Sequence, residues 1–306
     1  MLSIDNETSR VLDALEAEAI WVFRETAAAF EKPVLLYSIG KDSTVLLHLA
    51  RKAFHPGPIP FPVMHIDTGW KFREMYELRD RTAKELGLDL RLATNEEARA
   101  QGVTPFSHGA QEFTRIMKTV ALREGLDAGG FDIAVGGARR DEERSRAKER
   151  IFSLREAGHR WDPRNQRPEF WHTVNNALTD GQTMRVFPLS NWSELDVWRY
   201  VARENLEVVP LYFTQERPVV ERQGALIMVD DEERMVYQDG EKSEMRRVRF
   251  RSLGDWPLSG AVEGEAADVH DIIRDIEVNR QSERAGRLID GEGAQSMERK
   301  KAEGYF

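Results

Sequence analysis

The chain has 306 residues, 41% of them hydrophobic, enough for one large domain with an appendage or for two modest ones. It carries 44 basic and 53 acidic side chains, and the net charge of −9 argues against a general nucleic-acid binder, which shows a basic face. Cysteine is absent, which excludes a disulfide framework, a thiolate metal site and a cysteine nucleophile. No apolar run approaches the ~20 residues of a membrane span. The opening Met1-Leu2-Ser3-Ile4-Asp5-Asn6-Glu7 lacks the basic and apolar stretches of a signal peptide, so a cytoplasmic location is expected.

Leu12, Leu15, Ala19, Trp21 and Phe23 recur at roughly helical spacing and predict one long helix over 9–30. Apolar runs then predict strands at 34–38, 61–67, 88–94, 131–137 and 184–190. Helical patterns fill the intervals at 43–54, 72–87, 111–124 and 139–157, with Gly87, Gly125 and Gly158 as C-terminal stops. This alternation predicts a Rossmann-like α/β fold, a parallel sheet with helices on both faces. Asn191 and Glu194 have capping-box spacing and open another helix.

The composition changes near residue 215. Segments 224–229 and 235–251 read as strands of a hairpin around Asp239-Gly240, and a short helix follows at 268–280. Ser282 to Phe306 contains eight hydrophobic residues and cannot bury much core alone. The expected organisation is a nucleotide-binding domain over 1–215 and a smaller irregular α+β region over 216–306 that docks a partner or closes as a lid.

The segment Ser38-Ile39-Gly40-Lys41-Asp42-Ser43 stands between a strand and an amphipathic helix. Free amides and the positive end of a helix dipole make such a turn an anion site, and Lys41 adds a full charge. A phosphate chain is the ligand that suits it. It is not a Walker A loop: Leu35 stands where the first glycine belongs, and Asp42 separates Lys41 from Ser43.

In an open parallel sheet, ligands bind outside the carboxyl ends of the strands. Two further strand ends converge there. The second ends His65-Ile66-Asp67-Thr68-Gly69. Backbone at His65 and Ile66 suits adenine, and Asp67-Thr68 suits either polar nucleotide groups and Mg²⁺ or a helix cap. The fourth ends Gly136-Gly137-Ala138-Arg139-Arg140-Asp141-Glu142, followed by Arg144 and Arg146. The glycines admit close approach of a ligand, and guanidiniums suit phosphate and sulfate oxygens. On a helix, Arg140 and Arg144 would share a face, as an oxyanion clamp or as a solvated charge run. No metal-ligand spacing of histidines is present.

The loop resembles the Ser-Gly-Gly-x-Asp-Ser loop of the ATP pyrophosphatases, with Ile39 in place of the first glycine. Together with Glu194-Leu195-Asp196-Val197-Trp198 and Arg251-Ser252-Leu253-Gly254-Asp255-Trp256-Pro257, these motifs are similar, in order and over nearly the whole chain, to the small subunits of bacterial sulfate adenylyltransferases. Asp255 stands where many of those relatives carry Cys, so no thiol is expected to act there. The resemblance implies an adenine nucleotide alpha hydrolase-like fold and the conversion of ATP and sulfate to adenylyl sulfate and pyrophosphate. It also implies a separate GTPase partner subunit. Ser38, Ile39, Gly40, Lys41, Asp42, Ser43, His65, Ile66, Asp67, Thr68, Gly136 and Gly137 are then expected to bind ATP, with Mg²⁺ as counter-ion. Arg139, Arg140, Arg144 and Arg146 are expected to bind sulfate, and Lys41, Arg139 and Arg140 to carry catalysis. A phosphoadenylyl-sulfate reductase is excluded by the missing cysteine. A nucleotide-binding regulatory subunit, or an ATP pyrophosphatase that adenylates another acceptor, remains as an alternative reading.

Overall fold

The computed structural model describes residues 6–143, 146–169 and 173–278. The leading helix is α1 (Asn6–Ala29), which buries Leu12, Ala19, Val22 and Phe23. Next come β1 (Pro33–Leu36), α2 (Lys41–Phe54), β2 (Val63–Ile66), α3 (Arg73–Leu86) and β3 (Leu90–Ala93). Gly87 ends α3 as the sequence predicts, in the left-handed region at φ 59°, with its N–H donating to the carbonyls of Ala83 and Lys84.

Two short helices, α4 (Glu96–Ala100) and α5 (Pro105–Thr114), run into a π-helical turn over Arg115–Val120 and then α6 (Ala121–Gly129). Then come β4 (Ile133–Val135), β5 (Phe152–Arg155), β6 (Thr183–Val186) and α7 (Glu194–Glu204). The remainder is β7 (Gln215–Arg222), β8 (Ala225–Met228), β9 (Glu244–Arg249), β10 (Val262–Glu263) and α8 (Val269–Val278). No helix among the described residues is long and apolar enough to cross a membrane.

The first sheet has the order β3-β2-β1-β4-β6-β5. All its pairings are parallel except that of the edge strand β5 with β6. Alternation along the strands supplies both faces. Val34, Met64 and Ala134 pack with Leu122 and Leu126 of α6. Leu35, Val63, Ile133 and Val135 join the larger core with Phe23 of α1, Leu46 of α2 and Val197 of α7. The expected helix-covered parallel sheet is therefore present.

The second sheet is antiparallel, in the order β10-β9-β7-β8. Its Val219, Val220, Ile227 and Val248 belong to the same buried cluster as Leu46 and Val197. Residue 215 thus marks a change of sheet within one continuous core.

Four sequence expectations are corrected. Gly125 lies inside α6, where a Cβ would stand 2.7 Å from that of Ala93; it is needed for close packing on β3, and Gly130, at φ 61°, ends the helix. The described residues of 139–157 do not form the expected helix. They form a turn, a 3-10 turn at Arg146–Lys148 and then β5, because the apolar Phe152 and Leu154 find partners across the sheet edge on β6. The α7 capping box joins Ser193 and Asp196, while Asn191 donates to Glu18. The hairpin of the second sheet joins β7 and β8, with Gln223 and Gly224 between them; β8 and β9 flank β7 and do not pair with each other. The expected tail from Ser282 lies outside the described residues.

Candidate active site

The strand order reverses direction between β1 and β4, the switch point at which open α/β sheets bind ligands. A cavity opens there, and its floor is the β1–α2 turn. Ser38, Gly40, Lys41, Asp42 and Ser43 all line it. Ile39 does not: its side chain is fully buried in the core while its backbone adopts φ 65°. A β-branched residue rarely takes that conformation, so the turn keeps a glycine-like backbone at the position where the pyrophosphatase loop has glycine.

The loop is tied down at each end. Ser43 Oγ donates to the Gly40 carbonyl at 2.9 Å and lies 3.2 Å from Ser38 Oγ. The Lys41 amide donates to the Tyr212 hydroxyl at 2.9 Å. Lys41 is 1% exposed, and its Nζ sits 3.0 Å from one oxygen of Asp42. The other Asp42 oxygen takes Arg139 Nε at 2.7 Å. Gly136 and Gly137 come up from β4 beside the loop, and a Cβ on Gly137 would stand 3.3 Å from both the carbonyl carbon and the Cβ of Asp42. Close approach of two backbones requires glycine here.

The other side of the cavity is apolar, with Leu36, Met64, Ile66 and Leu122. His65 stands among them, 1% exposed. Its Nδ1 lies 2.8 Å from the Tyr37 carbonyl, which assigns the proton to Nδ1 and leaves Nε2 an acceptor. Nε2 is buried and has no hydrogen-bond partner among the described residues. Burial, reinforced by the nearby Lys71 ammonium, lowers the imidazole pKa to about 4, so the ring is neutral at ordinary pH.

The structure separates the predicted arginines. Arg146 lines the cavity, 4% exposed. Burial opposes its charge, but Glu149, at 2.9 Å, and the Glu142 and Glu143 carboxylates more than compensate and raise its pKa. Arg139 is buried and does not line the cavity; it acts on the loop through Asp42. Arg140 donates to Asn191 and lines a different hollow with Glu18 and Trp21. Arg144 lies outside the described residues. No helix forms over 139–143, so Arg139 and Arg140 go to different partners and neither lines the cavity.

Asp67 and Thr68 also serve the fold. Asp67 accepts from the Gly69 amide and the Tyr76 hydroxyl, each at 2.8 Å. Burial opposes its charge, yet those donors hold its carboxyl below the usual range. Thr68 donates to Asp255 at 2.7 Å.

Lys71, Lys118, Thr119, Tyr212 and Ser252 line the cavity without having been singled out in the sequence. Tyr212 and Ser252 arrive from far along the chain; Tyr212 carries no local signal, and Ser252 lies in a motif that marked the resemblance without a site role. Lys118 and Thr119 sit on the π-helical turn, a feature that periodicity does not announce but that is frequent at functional sites. The acids present do not form a resident metal site: among the described residues no three His, Asp or Glu side chains are grouped to hold an ion.

The fold and loop define an α/β protein of the phosphoadenosine phosphosulfate reductase domain, whose family model matches residues 32–261. Sulfate adenylyltransferase subunit 2 of Azospirillum brasilense is 64% identical over 96% of this chain and 98% of its own length. That of Klebsiella pneumoniae subsp. pneumoniae is 58% identical over 99% of this chain and 100% of its own. The chain belongs to the sulfate adenylyltransferase subunit 2 family. Its fold is also that of the FMN adenylyltransferase of Candida glabrata, with a TM-score of 0.51 at 15% identity over 94% of this chain and 91% of that one.

Proposed function

We propose that this chain catalyses ATP + sulfate = adenylyl sulfate + pyrophosphate. A sulfate oxygen attacks the α-phosphorus and forms the new P–O–S link. The bond from that phosphorus to the bridging oxygen breaks, and its electron pair leaves with pyrophosphate. Sulfate is fully ionised at neutral pH and needs no general base. Catalysis then rests on positioning two anions and stabilising the leaving group. The observation that carries this reading is the pinned β1–α2 turn, in which a buried lysine and a helix N-terminus open into a cavity at the switch point.

In this reading Ser38, Gly40, Lys41 and Ser43 hold the β and γ phosphates, and Mg²⁺ enters with the nucleotide as part of the substrate. Adenine lies against Leu36, Ile66 and Leu122, with His65 Nε2 accepting from its amino group. Arg139 is a positioning residue for Asp42. Lys41→Ala is expected to lower kcat about a hundredfold, on the order of 3 kcal/mol of lost charge-assisted stabilisation at the transition state. Steady-state rates of adenylyl sulfate formation check it, and a near-normal kcat would remove Lys41 from the mechanism.

The relatives' designation as subunit 2 names them as parts of a larger assembly. We assign the other part here to a GTPase on a separate polypeptide, acting in the cytoplasm at the first step of sulfate assimilation. The mixed phosphate–sulfate anhydride is less stable than the bond broken, so synthesis needs a coupled hydrolysis. The test is sulfate-dependent adenylyl sulfate formation from ATP, with pyrophosphatase present, with and without a candidate GTPase subunit and GTP. Product mainly in the complete mixture supports the assignment. No product despite ATP binding and complex formation would move it to another acceptor or to a regulatory role.

A further inference from the structure

Of the arginines expected to hold sulfate, Arg139 and Arg140 turn to Asp42 and Asn191 while Arg146 lines the cavity, and two lysines share the cavity wall with it. Lys71 follows the turn after β2, is 6% exposed, and places Nζ 2.6 Å from Asp255 Oδ1. Lys118 comes from the π-helical turn, which presents it and its neighbour Thr119 to the same cavity. Ser252 reaches the wall from the segment after β9.

Asp255 organises this group from behind. It is buried, and Thr68 donates to the same oxygen that takes Lys71. Burial would favour its neutral form, but Lys71 and Lys118 together keep it ionised. Among the charged residues lining the cavity, Lys41, Lys71, Lys118 and Arg146 are cationic, while Asp42 and Glu142 are anionic. The side-chain charges that face the cavity are therefore mostly cationic, although the chain as a whole is acidic and carboxylates back Lys71 and Arg146.

The donors on this wall are ammonium groups and hydroxyls on elements outside the phosphate loop. Ammonium is a compact point charge with three donors in different directions, suited to a small tetrahedral anion rather than to planar bidentate pairing. Resting on the adenylyltransferase reading above, we infer that Lys71, Lys118 and Ser252 form the seat of the acceptor sulfate, with Asp255 as the residue that positions Lys71.

The test uses the complex of this chain with its partner subunit. Sulfate is varied at saturating ATP, and ATP affinity is measured separately by equilibrium binding without sulfate. Lys118→Ala is expected to raise the KM for sulfate at least tenfold and to leave ATP affinity within about twofold. Ser252→Ala, a milder change, is expected to move the sulfate KM in the same direction by a few-fold, so the test stands if the lysine variant fails to fold. An unchanged sulfate KM in a folded Lys118→Ala protein overturns the seat while leaving the adenylyltransferase intact. Parallel loss of ATP affinity also overturns it, by assigning the lysine to the nucleotide phosphates. A wild-type complex that makes no adenylyl sulfate brings down both readings.

Discussion

Ile39 shows how one residue balances strain against packing. Its left-handed backbone costs about 1–2 kcal/mol for an L-residue, which glycine at the same position would avoid. Its side chain is fully buried, and truncating a core isoleucine costs about 2–5 kcal/mol. Packing outweighs strain. Ile39→Gly, although it restores the common loop pattern, is expected to destabilise the protein by about 2 kcal/mol, the middle of the roughly 0–4 kcal/mol range that those two terms leave. Urea unfolding at neutral pH measures this, and a stabilised variant would show that strain dominates.

His65 makes a pH prediction at the same scale. Its folded pKa is about 4 against an ordinary value of 6.5, so between these pH values the unfolded chain binds the extra proton. Stability from this group is complete above pH 6.5 and is lost as pH falls toward 4. Between pH 7 and pH 5 the loss is about 2 kcal/mol. His65→Gln should flatten that part of the profile, measured as urea midpoints at the two pH values. An equally steep profile in the variant would place the acid-sensitive group elsewhere. Asp67, whose carboxyl is held low, contributes stability that disappears only in more acidic solution.

At the scale of elements, the contact between the β4 turn and the start of α2 sets the shape of the β1–α2 turn. Gly137→Ala would press a methyl group against Asp42 main chain 3.3 Å away. Backbone gives way less readily than a side-chain tip, so the helix N-terminus must shift. The expected result is about a tenfold weaker ATP affinity, about 1.4 kcal/mol, with the fold retained. Equilibrium nucleotide binding and circular dichroism together check it; unchanged affinity would mean the loop absorbs the methyl group.

The elements that built this contact were legible in the sequence because their signals are local. Short apolar runs marked β1, β2 and β4, and Gly87 marked a real left-handed stop. Segment 139–157 misled because its charges satisfy each other without a helix: Glu149 takes both Arg146, at 2.9 Å, and Arg155, at 2.6 Å. Arg140 itself lies in a turn, so helical spacing does not govern where its side chain goes. Gly125 misled because a glycine that admits a neighbouring strand looks the same in sequence as one that ends a helix. Lys71 and Lys118 were invisible as site residues because what marks them is their convergence with Ser252, a long-range fact.

For the whole molecule, the question is whether the two sheets form separable units. The seam between them is dense. Trp70 and Trp256 stack at 5.4 Å, and the Trp256 amide donates to the Trp70 carbonyl. Phe72 meets Phe250 at 4.9 Å, and Arg217 of β7 pairs with Glu74 of α3. Asp255 carries Lys71 and Thr68 across the same boundary. Exposing this seam would uncover aromatic surface and leave a buried carboxylate and ammonium without each other. Removing one partner of such a pair costs about 3–5 kcal/mol. Chains of this size often unfold in stages. Here the shared core opposes that, and the described sheets are expected to melt together. Far-ultraviolet circular dichroism, which follows both sheets, and the fluorescence of the seven tryptophans, to which the Trp70–Trp256 stack contributes, should give superimposable thermal transitions. Asp255→Ala should lower both midpoints in step. A fluorescence transition well below the dichroism transition, and lost in Trp256→Phe, would show instead that the second sheet detaches first, carrying Ser252 away from the cavity while the β1–α2 turn stays folded.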